Sequence, residues 1–194
     1  MIVAASKASQ SAAQAASMGR GLRESALWIF GALGLILFVA LASYDSADPA
    51  FSSTGQPGPV TNLIGPFGAW LSDVFFVLFG APSYLFPIML MYAGWSLYQD
   101  RRSVEPMDRQ TMIIRGVGFA LALASSCGLA TLHWSGVGYP NTAGGLLGSL
   151  LGFVLANAMS FLGATLLLLA IWLASVSLST GISWVGVMDR IGEA

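Results

Sequence analysis

Of the 194 residues, 56% are hydrophobic and 9% charged, against roughly 25% charged in soluble globular domains, which excludes an ordinary water-facing fold. The formal net charge is −1 and excludes nothing by itself, but the basic residues are sorted: Lys7, Arg20 and Arg23, then Arg101, Arg102, Arg109 and Arg115, then Arg190. One cysteine, Cys127, and one histidine, His133, exclude a disulfide framework and any multi-cysteine or multi-histidine metal site within the chain.

Residues 1–25 are rich in Ala, Ser and Gln and read as a disordered cytoplasmic tail. The first apolar run, 26–44, follows Arg20 and Arg23 and precedes Asp45 and Asp48, so its start faces the cytoplasm. A signal peptide cleaved near Ala40-Leu41-Ala42 is the competing reading. The long segment ahead of the run and its full spanning length favour a retained span.

After a Pro-, Gly- and Ser-rich loop at 45–66, apolar character runs from 67 to 98. As one helix this would be about 48 Å long, too long for a hydrocarbon core of about 30 Å. Gly80-Ala81-Pro82 marks a break. An interfacial helix is expected over 67–80, with Phe67, Trp70, Leu71, Val74, Phe75 and Leu78 on one face and Gly68, Ser72 and Asp73 on the other. On that reading Asp73 faces water; a carboxylate on a proton or ion path through lipid is the alternative.

The crossing itself is expected over 82–98. The four arginines of 100–115 should share the cytoplasmic side with Arg20 and Arg23, so an odd number of crossings separates Tyr44 from Asp100. A third span, 112–132, carries small residues at every fourth position, Gly116, Ala120, Ala124 and Gly128, a stripe that lets helix backbones approach closely. It ends at His133-Trp134, a pair suited to the headgroup level. A second interfacial helix is expected over 143–158, with Gly144, Gly148, Gly152 and Ala156 opposite a leucine-rich face. The fourth span is 161–180, and 181–194, with Arg190, begins a cytoplasmic linker.

The fold class expected is all-α integral membrane, with four transmembrane helices and two additional interfacial, periplasmic helices, and residues 26–180 as the membrane domain. The halves look alike: GLILFVALAS at 34–43 and GVGFALALAS at 116–125 agree at five of ten positions, a weak sign of an internal repeat.

There is no G-x-x-x-x-G-K-[ST] phosphate loop, and the sole lysine, Lys7, lies in the tail, so these residues make no ATP-driven motor. Nor is there a basic groove with stacking aromatics, which argues against direct nucleic-acid binding. The span cores hold no ionisable Asp, Glu, Lys, Arg or His, which leaves charge-coupled transport poorly supported.

The stretch NLIGPFGAWLSD at 62–73, followed by Phe79-Gly80 and YLFP at 84–87, is similar to the first periplasmic region and second span of the FtsK/SpoIIIE family of DNA translocases. GGLLG at 144–148 and GATLL at 163–167 resemble the family's second periplasmic loop and fourth span, and TGISW at 180–184 the boundary after it. The resemblance covers about residues 20–188.

It implies a membrane anchor and septum-targeting domain in the bacterial inner membrane, both ends cytoplasmic, that couples chromosome segregation to division. ATP and Mg are then expected only in a cytoplasmic motor lying, with its linker, outside this sequence. The segment itself is expected to be no enzyme and to hold no catalytic, cofactor or metal residue. Expected partners are the lipid bilayer, other division-septum membrane proteins and further copies of the chain, six through the motor.

The candidate partner-contact or packing residues are Gly65, Gly68, Trp70, Asp73, Gly144, Gly148 and Gly152; small-residue stripes serve internal packing as well as partner contact. A small four-span channel or transporter, or an unrelated scaffold subunit of a membrane complex, stays open as an alternative. A channel should show a polar lining.

Overall fold

The structure, a computed structural model, describes residues 21, 24–54, 58–99, 109–181 and 183–192. The expected disorder of residues 1–20, 22 and 23, and the basic stretch 100–108, lie outside the described residues. Gly21 and the chain from Glu24 are already helical, so the tail ends before residue 26.

Helix α1 is Glu24–Ala42, about 28 Å long. It ends at Ser43, whose hydroxyl donates to the Val39 carbonyl at 2.7 Å. Helix α2 is Gly65–Phe79; Pro66 sits in its first turn, where the missing N–H would have had no partner anyway. It stops at Gly80, whose φ of 62° suits glycine alone among common residues. A 3₁₀ turn, Ala81–Tyr84, leads into α3, Leu85–Gln99, and Pro87 is tolerated in the first turn of α3. Turn and helix together rise about 30 Å.

Helix α4 is Arg109–His133, so Arg109 and Arg115 stand on the helix rather than in the loop before it. Helix α5, Gly145–Thr180, has 36 residues, about 54 Å if straight. It breaks at Ser160, whose backbone (φ 73°, ψ 164°) is non-helical, and the part beyond it is about 30 Å long. Gly181, in the left-handed conformation, closes α5, and α6 is Trp184–Gly192. No strand occurs among the described residues.

The chain divides into two compact units. In the first, which takes α1 up to Ile36 and α3 from Phe86, two glycines mark the helix contact. A Cβ on Gly34 would lie 2.9 Å from the Met91 side chain and 3.1 Å from the Pro87 carbonyl oxygen, and one on Gly94 would lie 2.8 Å from Phe30.

The second unit, Leu37–Leu85 with the chain from 107 onward, is built on α4 lying along α5. A Cβ on Gly118 would come within 2.6 Å of the Ser179 amide nitrogen, and those on Gly144 and Gly148 would collide with the Cys127 carbonyl oxygen. The expected stripe at 116, 120, 124 and 128 is corrected in part: Gly128 is buried against Leu168, but Gly116 and Ala120 are exposed, and Gly118 makes the close approach there, with Ala122 and Ser125 also buried. Small residues are so frequent in α4 that they fill more than one register, and the large neighbours decide which turns inward.

Beside a few large apolar side chains such as Leu41, Phe76 and Leu168, much of what is buried is small or polar. Ser72, Ser83, Ser125 and Ser175 lie inside, each hydroxyl donating to a nearby carbonyl. What is exposed is large and apolar: Trp28, Ile29 and Phe38 on α1, Ile113 and Val117 on α4, Leu162 and Leu166 on α5. This is the distribution that hydrocarbon solvates, since helix contacts in lipid are made by small residues and internal hydrogen bonds while large side chains meet acyl chains. Among the described residues, α1, α4 and α5 are long and apolar enough to cross a membrane.

Candidate functional site

The polar side chains of the second unit converge where the loops meet the helix ends. Asp73, midway along α2, is 1% exposed. Its carboxylate accepts from the Tyr44 hydroxyl at 3.0 Å, from the Ser52 amide at 2.6 Å and from the Ser52 hydroxyl at 2.9 Å. Burial first, then the hydrogen bond to Asp73 and the negative charges of Asp73 and Asp45, push the Tyr44 phenol above its ordinary pKa.

A second buried carboxylate holds the other end of the same loop. Asp48 accepts from the amides of Thr61 and Asn62 at 2.8 and 2.9 Å and from the Thr61 hydroxyl. Asn62, also buried, donates to the carbonyls of Ala40 and Ser43 and accepts from the Ile64 amide. The loop after α1 is thus shaped by groups that replace water for its main-chain donors.

The loop before α5 is tied in similarly. The Ala81 amide donates to the Ala143 carbonyl at 2.7 Å, Asn141 donates to Val77 and the Cys127 thiol to Phe79. Phe76 packs among Tyr44, Tyr84 and Tyr139, with ring centroids 4.9–5.9 Å apart, and so joins both loops in one cluster.

The expectation that Asp73 faces water is corrected. The face carrying Gly68, Ser72 and Asp73 is the buried one, and Phe67, Trp70 and Leu78 point outward. The assignment of residues to the two faces holds, but an apolar surrounding exchanges inside and outside. The alternative reading of Asp73, a carboxylate on a path through lipid, does not describe a group bonded to loop residues either.

Of the other candidates, Gly65 (φ 77°) opens α2 with free space at its Cβ position, and Trp70 is 47% exposed. Gly68 is packed so that a Cβ would meet Asn62 and Ile64, Gly144 and Gly148 face Cys127 and Thr131, and Gly152 approaches the Gly128 carbonyl oxygen at 3.3 Å. The α2 and α5 candidates are not brought together with one another. The two helices meet instead at Gly80 and Gly145, where a Cβ on Gly145 would lie 2.6 Å from the Phe79 nitrogen. Sequence reading missed Tyr44, Asp48, Ser52 and Thr61. The available signal was a pair of carboxylates, Asp45 and Asp48, just beyond the first apolar run with no basic partner nearby.

The family model for the 4TM region of DNA translocase FtsK/SpoIIIE matches residues 19–192. The chain belongs to this family. The relatives it matches include DNA translocase FtsK of Vibrio vulnificus (strain CMCP6), 35% identical over 89% of this chain and 17% of the relative. DNA translocase FtsK of Pseudomonas syringae pv. tomato (strain ATCC BAA-871 / DC3000) is 35% identical over 89% of this chain and 22% of its own length. DNA translocase FtsK of Vibrio parahaemolyticus serotype O3:K6 (strain RIMD 2210633) is 36% identical over 86% of this chain and 16% of the relative. The chain therefore spans between 16 and 22% of the length of these FtsK relatives. No solved structure matches it. Membership in an FtsK/SpoIIIE membrane region agrees with the exposed apolar helices of the fold: this is a multi-pass membrane segment.

Proposed function

We propose that this segment is the membrane anchor and division-targeting domain of an FtsK-type DNA translocase of the bacterial inner membrane, with the motor carried elsewhere in the whole protein. The observation that carries the reading is the match of residues 19–192 to the family's 4TM region, in a chain without a phosphate-binding loop. Four crossings are formed by α1, by the 3₁₀ turn with α3, by α4, and by α5 beyond Ser160. The second and fourth are each about 30 Å long, the thickness they must cover. Both ends lie in the cytoplasm with the basic residues, and the clustered loops lie in the periplasm.

Contact with other septal membrane proteins is assigned to the exposed part of α2 around Gly65 and Trp70, while Gly68, Gly144, Gly148 and Gly152 pack the domain and Asp73 shapes the loop beneath. A fluorescently tagged copy of residues 1–194, expressed in dividing cells, should gather at the septum, and the purified segment should hydrolyse no ATP. Uniform membrane fluorescence, or ATPase activity above a mock preparation, would contradict the proposal. Trp70→Ala should lower capture of a septal partner without lowering the amount of folded protein; unchanged capture would remove Trp70 from the contact surface.

A further inference from the structure

We infer that the groove bounded by the 3₁₀ turn, the last turns of α4 and the second half of α5 is a binding site for one phospholipid acyl chain. The cavity measures about 560 Å³, within the range of roughly 300–1,000 Å³ usual for small-ligand sites. Pro82 and Leu85 form one wall, Leu129 and Ala130 a second, and Leu169 and Trp172 a third.

Apart from the exposed Trp134 at its mouth, the polar side chains that reach this groove are hydrogen-bonded within the protein. The Trp172 indole donates to the Ser126 hydroxyl at 3.0 Å, His133 Nε2 pairs with the Thr165 hydroxyl at 3.0 Å, and the Tyr84 hydroxyl donates to the Leu41 carbonyl at 3.2 Å. Water held there would lack the two to four polar partners it needs. Hydrocarbon needs none.

The groove is continuous with the surface that lipid covers. Leu169, part of its wall, is exposed and stands in line with the exposed Leu162, Leu166 and Leu173 on α5. Ser126 to His133 and Thr165 to Trp172 each advance about 10 Å along a helix, so a chain lies along the groove rather than across it. His133 and the exposed Trp134 mark one end. Side chains of this kind sit at headgroup level, so the ester end of the lipid lies there and the tail runs toward Trp172.

Native mass spectrometry of the full chain released from bilayers of palmitoyl-oleoyl phosphatidylethanolamine tests this. Wild type and Leu166→Trp, which alters an exposed leucine outside the groove, should each retain one phospholipid per chain, and Leu169→Trp, which fills the groove, should lose it. If Leu169→Trp is not monodisperse, Leu85→Trp closes the groove from the opposite wall and is read in the same way. No retained lipid in wild type, or equal retention by wild type and a groove-filling variant, overturns the proposal. So does rapid disulfide formation between two copies carrying Leu169→Cys in a Cys127→Ser background, which would seat a second copy in the groove instead.

Discussion

Asp73 and Asp48 tie down the loop after α1 in the same way, and on Asp73 three donors from Tyr44 and Ser52 end on one buried carboxylate. Asp73→Ala leaves the Tyr44 hydroxyl and the Ser52 amide without an acceptor, at about 1–3 kcal/mol for a buried group deprived of its partner. The melting temperature in detergent should fall accordingly, and an unchanged value would show that the loop does not depend on Asp73. Tyr44 supplies a pH test of the same contact. Its folded-state pKa lies above that of the free phenol, so its contribution to stability is complete below about pH 10 and is lost as pH rises through the folded value. Absorbance titration should show a late tyrosine phase, and Tyr44→Phe should reduce it by one tyrosine; an undiminished late phase after the substitution would contradict the assignment. The sequence marks Asp73 as the one acid within an apolar stretch. It does not reveal the partners, because Ser52 lies 21 residues away in a loop whose path no periodicity encodes.

At the scale of helices, apolar run length and glycine or proline punctuation located the elements well. The break within 67–98 falls at Gly80, where φ is positive, and the long final run is interrupted at Ser160, between the expected 143–158 and 161–180 segments. The packing register was not legible, since Gly, Ala and Ser occupy several faces of α4 and only the fit against α5 selects Gly118 over Gly116. Two substitutions separate them. Gly118→Ala places a methyl group against the Ser179 backbone and should cost about 1–3 kcal/mol by overpacking. Gly116→Ala meets open space and should be neutral or slightly stabilising through helix propensity. Similar melting temperatures for the two would contradict the α4–α5 register. Ser160 holds a backbone conformation that costs a non-glycine residue about 1–3 kcal/mol. Its hydroxyl accepts only a long bond from the Gly163 amide, at 3.5 Å. Ser160→Gly should therefore raise stability by an amount on the order of 1 kcal/mol, after the entropic cost of glycine is subtracted. A fall in melting temperature would mean that the break is not strained.

For the whole molecule, composition and the sorting of charge indicated the solvent before any contact was known, and the exposed apolar surface of α1, α4 and α5 is what that solvent requires. Which face of α2 turns inward was the main failure of sequence reading, because an amphipathic pattern identifies two faces but the surroundings decide which is buried. The proposed anchor requires a particular topology: four crossings, with both ends and the basic loop on one side of the membrane. Single-cysteine labelling in intact cells, in a Cys127→Ser background with a reagent that does not cross the inner membrane, tests that topology directly. Thr54→Cys should react from outside, and Val104→Cys should react only after the membrane is permeabilised. Labelling of Val104→Cys in intact cells would contradict the four-span anchor.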